Sequence, residues 1–133
     1  MAFKHSKNTV LILGGNDISE FCNTSSLERS ATSHDVTTYG KNSKVKQGGL
    51  LDGSASAGGW YDDTAAGPHD VIQPMVGTVV TLVRRPEGTG SGLPQQTVDV
   101  LVQNYVETDP IDDIIQWTVA LELSDDVVRE NQA

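Results

Sequence analysis

From Gln96 to Glu107, and again from Ile114 to Leu123, apolar and polar residues alternate with a period of two. Successive side chains of an extended strand point to opposite faces. The first run therefore sends Val98, Val100, Val102 and Val106 to one face and Thr97, Asp99, Gln103 and Tyr105 to the other, with Leu101 out of pattern. The second sends Ile115, Trp117, Val119, Leu121 and Leu123 inward and Gln116, Thr118, Ala120 and Glu122 outward. Between them lies Thr108-Asp109-Pro110-Ile111-Asp112-Asp113, a cluster with turn chemistry. The two runs are expected to form one hairpin with an apolar and a polar face.

The rest of the chain also favours strands. Thr9 to Leu13 is a short apolar run stopped by Gly14-Gly15-Asn16-Asp17, where glycine and Asn/Asp suit a tight turn. Ile18 to Ala31 and Asp35 to Tyr39 are Ser/Thr-rich with a weak period of two, and predict two strands joined by a turn at Thr32 to His34. Tyr39 to Gly49 has no apolar stripe and is bounded by glycines, which predicts a long mobile loop with room for one helical turn. Ser54 to Tyr61 predicts a strand approached closely by a neighbour at Gly58-Gly59.

Asp62-Asp63-Thr64 offers a cap, and Pro68 to Val76 predicts a short helix with Val71, Ile72 and Met75 on one face, limited by Pro74 and stopped by Gly77. Thr78 to Arg85 reads as a buried strand. A flexible loop follows, Arg85-Pro86-Glu87-Gly88-Thr89-Gly90-Ser91-Gly92. The expected fold class is mainly β, an antiparallel two-sheet sandwich or barrel with one short α-helix. One domain is expected over 1–133, with a mobile loop at 40–49, a loop at 85–95 and a polar C-terminal arm at 124–133 that is either disordered or ordered by a partner.

A chain of 133 residues can bury on the order of 68–70% of its unfolded surface without staples. The one cysteine, Cys22, cannot form an internal disulfide, and no run after Met1 resembles a secretory signal or a membrane span, so cytoplasmic synthesis is expected. The net charge of −9 is uneven: residues 1–50 hold six basic and four acidic groups, and residues 51–133 hold three and fourteen. That balance argues against gripping nucleic acid, which takes clustered Lys and Arg. It does not argue against being near DNA, since a surface that lets DNA pass without sticking is expected to be acidic or neutral and to repel phosphates over a Debye length of about 8 Å.

No catalytic constellation emerges, and no enzyme is expected. His5, His34 and His69 are far apart and lack metal-ligand spacing, so they read as ordinary polar histidines. Cys22 has no nearby base and reads as a small buried hydrophobe. Asp109, Asp112 and Asp113 bunch together but lack the spacing of a calcium loop, and Gly88 to Gly92 lacks the Gly-Lys-Ser/Thr ending of a phosphate loop. Arg84-Arg85 reads as a solvated strand end, and Trp60, Tyr61 and Trp117 as core pieces. Neither a cofactor nor a metal is expected.

Five motifs, taken in order, resemble the major tail tube proteins of long-tailed, siphovirus-type bacteriophages. They are Asn16-Asp17-Ile18-Ser19, the stretch from His34 through Gly40 into Gly48-Gly49-Leu50-Leu51-Asp52-Gly53, then Ser54 to Asp62, Arg85 to Gly92, and Ile114-Ile115-Gln116-Trp117. The resemblance implies a structural virion protein, a subunit of stacked hexameric rings that form the hollow tail tube through which DNA leaves. It implies partners in further copies of itself, a tape measure protein and tail terminator and tip proteins, with double-stranded DNA passing the lumen without specific binding and no membrane. The place implied is the virion tail, assembled in the bacterial host cytoplasm. Contractile tails and secretion systems share that architecture and stay open, and no added immunoglobulin-like domain is expected after Leu123.

Two surfaces follow as expectations. Thr97, Asp99, Gln103, Gln116, Thr118 and Glu122 are candidates to face the lumen. The loop with Tyr39, Lys41, Lys44 and Lys46 is a candidate contact with a more acidic surface on an adjacent ring. The alternatives are a head decoration or tail completion protein, which would stop at a small oligomer, or a small carbohydrate- or calcium-binding β-module using the Asp109 to Asp113 turn.

Overall fold

The Val10–Leu13 run forms the first strand, β1, and ends where Gly14 (φ 59°) and Gly15 (φ 84°) take left-handed angles that only glycine adopts cheaply. The chain turns back as β2, Asn16–Asp17, antiparallel to β1. The computed structural model describes residues 3–62 and 67–133. The expected cap at Asp63 and Thr64 lies outside them.

A single 3-10 turn, Ser19–Phe21, carries the chain from β2 into β3, Cys22–Asp35, and its Ser19 hydroxyl accepts from the Leu11 N–H at 2.8 Å. β3 and β4, Lys46–Trp60, pair antiparallel along nearly their whole length. Of the two strands expected at 18–31 and 35–39 only one forms: the pairing shifts register between Ala31 and Ser33, runs past the expected turn and ends at Asp35, so residues 36–39 form no strand. A bulge absorbs the extra residue without ending the ladder. β4 starts at Lys46, inside the stretch read as a loop, and no helical turn occurs in that stretch.

Helix α1, Pro68–Ile72, has proline at its first turn, and a 3-10 turn at Gln73–Met75 follows because Pro74 cannot donate. Three further strands, β5 (Val79–Arg85), β6 (Pro94–Thr108) and β7 (Gln116–Leu123), complete the alternating region. The C-terminal arm contributes β8, Val128–Asn131, on the edge of β6.

All eight strands join in one antiparallel sheet of order β2-β1-β5-β6-β7-β4-β3, with β8 beside β6. β7 pairs with residues 100–108 of β6 and β8 with residues 94–97, while β5 takes the opposite edge, so β8 continues the line of β7. Inward side chains from β1 at one end (Leu11, Leu13) and β4 at the other (Ala55, Ala57) share one core with Val98, Val100, Val102, Trp117, Val119 and Leu121. The sheet therefore curls round its own inner face, and Ile18 and Ile72 fill it from the connections. The mainly β, antiparallel fold with one short helix is the one expected, its strands joined in a single ladder.

A second bulge, between Val102 and Asn104, reverses the parity of β6. Beyond it Val106 is exposed, against expectation, and Tyr105 turns inward to stack on Trp117 with ring centroids 6.1 Å apart. Trp117 is fully buried as expected, but Trp60, read as core, is 43% exposed. Arg84 is half-buried opposite Leu11, donating to the Gln96 side chain at 2.9 Å, and is not a solvated strand end.

Candidate functional site: assembly surfaces

The outer face of the sheet is built by strand register. One cross-strand row runs Glu28, Ser54, Glu122, Leu101, Val79; the next runs Ser26, Ser56, Ala120, Asn104. A third holds Thr24, Gly58, Thr118 and Val106, and no lysine or arginine stands in any of them. Ser26 and Ser56 share a hydroxyl hydrogen bond of 2.7 Å, and Thr81 donates to Asp99 at 3.1 Å. Of the six residues expected on this face, Thr97, Asp99, Gln116, Thr118 and Glu122 share it. Gln103 sits exposed in the bulge.

The second surface is a two-stranded arm. β7 covers β4 only from Ser54 to Trp60, so residues 46–53 of β4 pair with β3 alone. As far as Asp52 both faces are open, and Leu50 (87% exposed) and Leu51 (63%) project into water. At its tip the Val36 N–H donates to the Val45 carbonyl at 2.9 Å, and the Asp35 carboxylate accepts from the Thr37 hydroxyl (2.6 Å) and N–H (3.0 Å). The Thr37 hydroxyl, then its N–H, hold Asp35 below the ordinary carboxylate range. Tyr39 is fully exposed, and Lys41, Lys44 and Lys46 are exposed.

The residues that could have carried chemistry are dispersed. Burial first, then the charge of Asp17, pushes the Cys22 thiol up to about 11, so it is neutral and a poor nucleophile at pH 7. His69 Nδ1 lies 3.0 and 3.3 Å from the Glu107 carboxylate oxygens, Tyr105 donates to the same carboxylate at 3.2 Å, and the Tyr61 ring meets His69 edge-on. Burial, then the charge and hydrogen bond of Glu107, raises the Tyr105 hydroxyl. This cluster ties α1 to β6 across 38 residues of sequence, a separation that left no local signal. Among the described residues no group of three or more His, Cys, Asp or Glu is placed to hold a metal ion. No described helix is long and apolar enough to cross a membrane.

No protein-family model matches the sequence, and no curated protein does. Solved structures do match in fold. A chain of the SPP1 tail tube superposes with TM-score 0.77 at 9% identity, over 96% of this chain and 79% of that one. Its fold is the one seen in the SPP1 tail tube. A chain of the virion of a native gene transfer agent particle gives TM-score 0.77 at 12% identity, covering 96% of this chain and 99% of that one. One from the tail of an empty gene transfer agent particle, solved with C6 symmetry, gives 0.73 at 11%, covering 98% and 100%. At such identities the likeness is one of fold, and it agrees with the resemblance carried by the motifs.

Proposed function

We propose that the chain is a structural subunit of a hollow tail tube, with six copies in a ring, rings stacked along an axis, and DNA passing through the lumen during ejection. The match of fold to the SPP1 tail tube over nearly the whole chain carries this reading. Two features of the molecule support it. The outer sheet face is polar, holds Glu28, Asp99 and Glu122 and lacks a cation in its central rows, which suits a channel wall that repels phosphates. The arm buries nothing against its own core, and an isolated two-stranded ladder is marginal in water, so a neighbouring copy would complete it.

In this reading Thr97, Asp99, Gln103, Gln116, Thr118 and Glu122 face the lumen, and Tyr39, Lys41, Lys44 and Lys46 reach an adjacent ring. The object is part of a virion tail, works with a tape measure protein and terminator and tip proteins, and has no catalytic activity. Electron microscopy of the concentrated purified protein is the test. Hollow rods of uniform diameter are expected. A species that stops at one small ring would instead favour a decoration or completion protein.

A further inference from the structure

The two ends of the molecule are opposite in charge and alike in exposing apolar side chains. Residues 36–51 hold three lysines and no acidic residue, and at the arm's tip Val36, Tyr39 and Val45 stand exposed among them. The nearest carboxylate, Asp35, is held by Thr37. At the far end, the β6–β7 turn carries Asp109, Asp112 and Asp113 within a stretch, residues 86–128, that has no Lys, Arg or His. There Ile111 is 98% and Ile114 60% exposed.

Register shows that these are opposite ends. Trp60 pairs with Gln116, beside the acidic turn, whereas Lys46 opens the other end of the same strand. At about 3.3 Å per residue the length of β4 separates the two by roughly 46 Å.

Like charge keeps tip from tip and turn from turn, and unlike charge with an apolar centre favours tip on turn. We infer that the basic tip at residues 36–46 docks on the acidic turn at residues 109–115 of a second copy. Such a contact uses two different patches, so it leaves a free tip and a free turn at the ends of every assembly and propagates without closing. The inference rests on the tube reading and names the surface that receives the arm.

Charge reversal tests it. Chains with K41E/K44E/K46E, with D109K/D112K/D113K, and with all six substitutions are compared with the wild type by sedimentation and negative-stain microscopy, with circular dichroism to establish folding. The wild type should pellet as rods at about 0.1 M salt and shift to the supernatant near 1 M, where the Debye length falls from about 10 to 3 Å. Each triple variant should stay soluble as monomers or single rings, and the sixfold variant should regain rods because the signs match again. Rods from either triple variant at wild-type concentrations overturn the inference while leaving the tube reading intact, as does a folded sixfold variant without rods. A wild type that never polymerises overturns both.

Discussion

Gly59 sits where β4 passes against the turn that leads into β3. It pairs with Cys22 across β3 and with Trp117 across β7, and a Cβ built there would collide with the Phe21 carbonyl oxygen. That atom belongs to the main chain of the 3-10 turn leading into β3 and cannot rotate away. Gly59→Ala should therefore cost about 1–3 kcal/mol, the usual range for forcing atoms into a packed site, and lower the thermal midpoint. Gly48, with nothing within 4 Å, is the control: Gly48→Ala should leave the midpoint nearly unchanged. Equal midpoints for the two variants would mean that the close approach is absent in solution.

The arm is the element whose form and use differ most from the rest of the fold. Its ladder is complete, yet its side chains find no second layer, so it adds little to the stability of a lone subunit. Deleting residues 41–47 should leave the unfolding free energy within about 0.5 kcal/mol of the wild type, as for surface changes away from packed features, and abolish rods. Rods of normal length from the deleted chain would remove the arm from assembly. The same element shows what the sequence could and could not reveal. Strands β6 and β7 and helix α1 were legible because burial on one face writes a period into the residues, and β1 and β5 because they are apolar runs. β3 beyond Leu27 and the start of β4 are open on both faces, so no such period exists there, and a 14-residue strand reads as two short ones with a turn. The bulge after Val102 was illegible for a related reason: one inserted residue reverses every later position, and Val106 and Tyr105 exchanged sides. Arg84 was misplaced because its partner, Gln96, is supplied by another strand. The polar face was readable from alternation, whereas the channel wall proposed for it has no signal in the residues and rests on the likeness of fold.

At the scale of the whole molecule the net charge of −9 is a distribution with a direction. Acidic groups occupy the outer sheet face and the β6–β7 turn, while lysines gather at the arm tip. Six copies in a ring would multiply each position on the face sixfold, turning scattered carboxylates into belts round the channel. A belt matters more than a single charge, because a polyanion passing through meets every member within a Debye length. Asp99 and Glu122 lie in adjacent strands on this face, and neither takes part in an ion pair among the described residues. The double variant Asp99→Lys with Glu122→Lys should therefore fold and assemble, while its tubes retain DNA. The measurement is nuclease-protected DNA recovered with purified rods, followed as salt is raised. Retention should fall steeply with salt, by a logarithmic slope of about −0.9 for each phosphate neutralised. Rods of the double variant that hold no more DNA than wild-type rods would place this face on the outside of the tube, and a retention that ignores salt would mean that the DNA is trapped by something other than the introduced lysines.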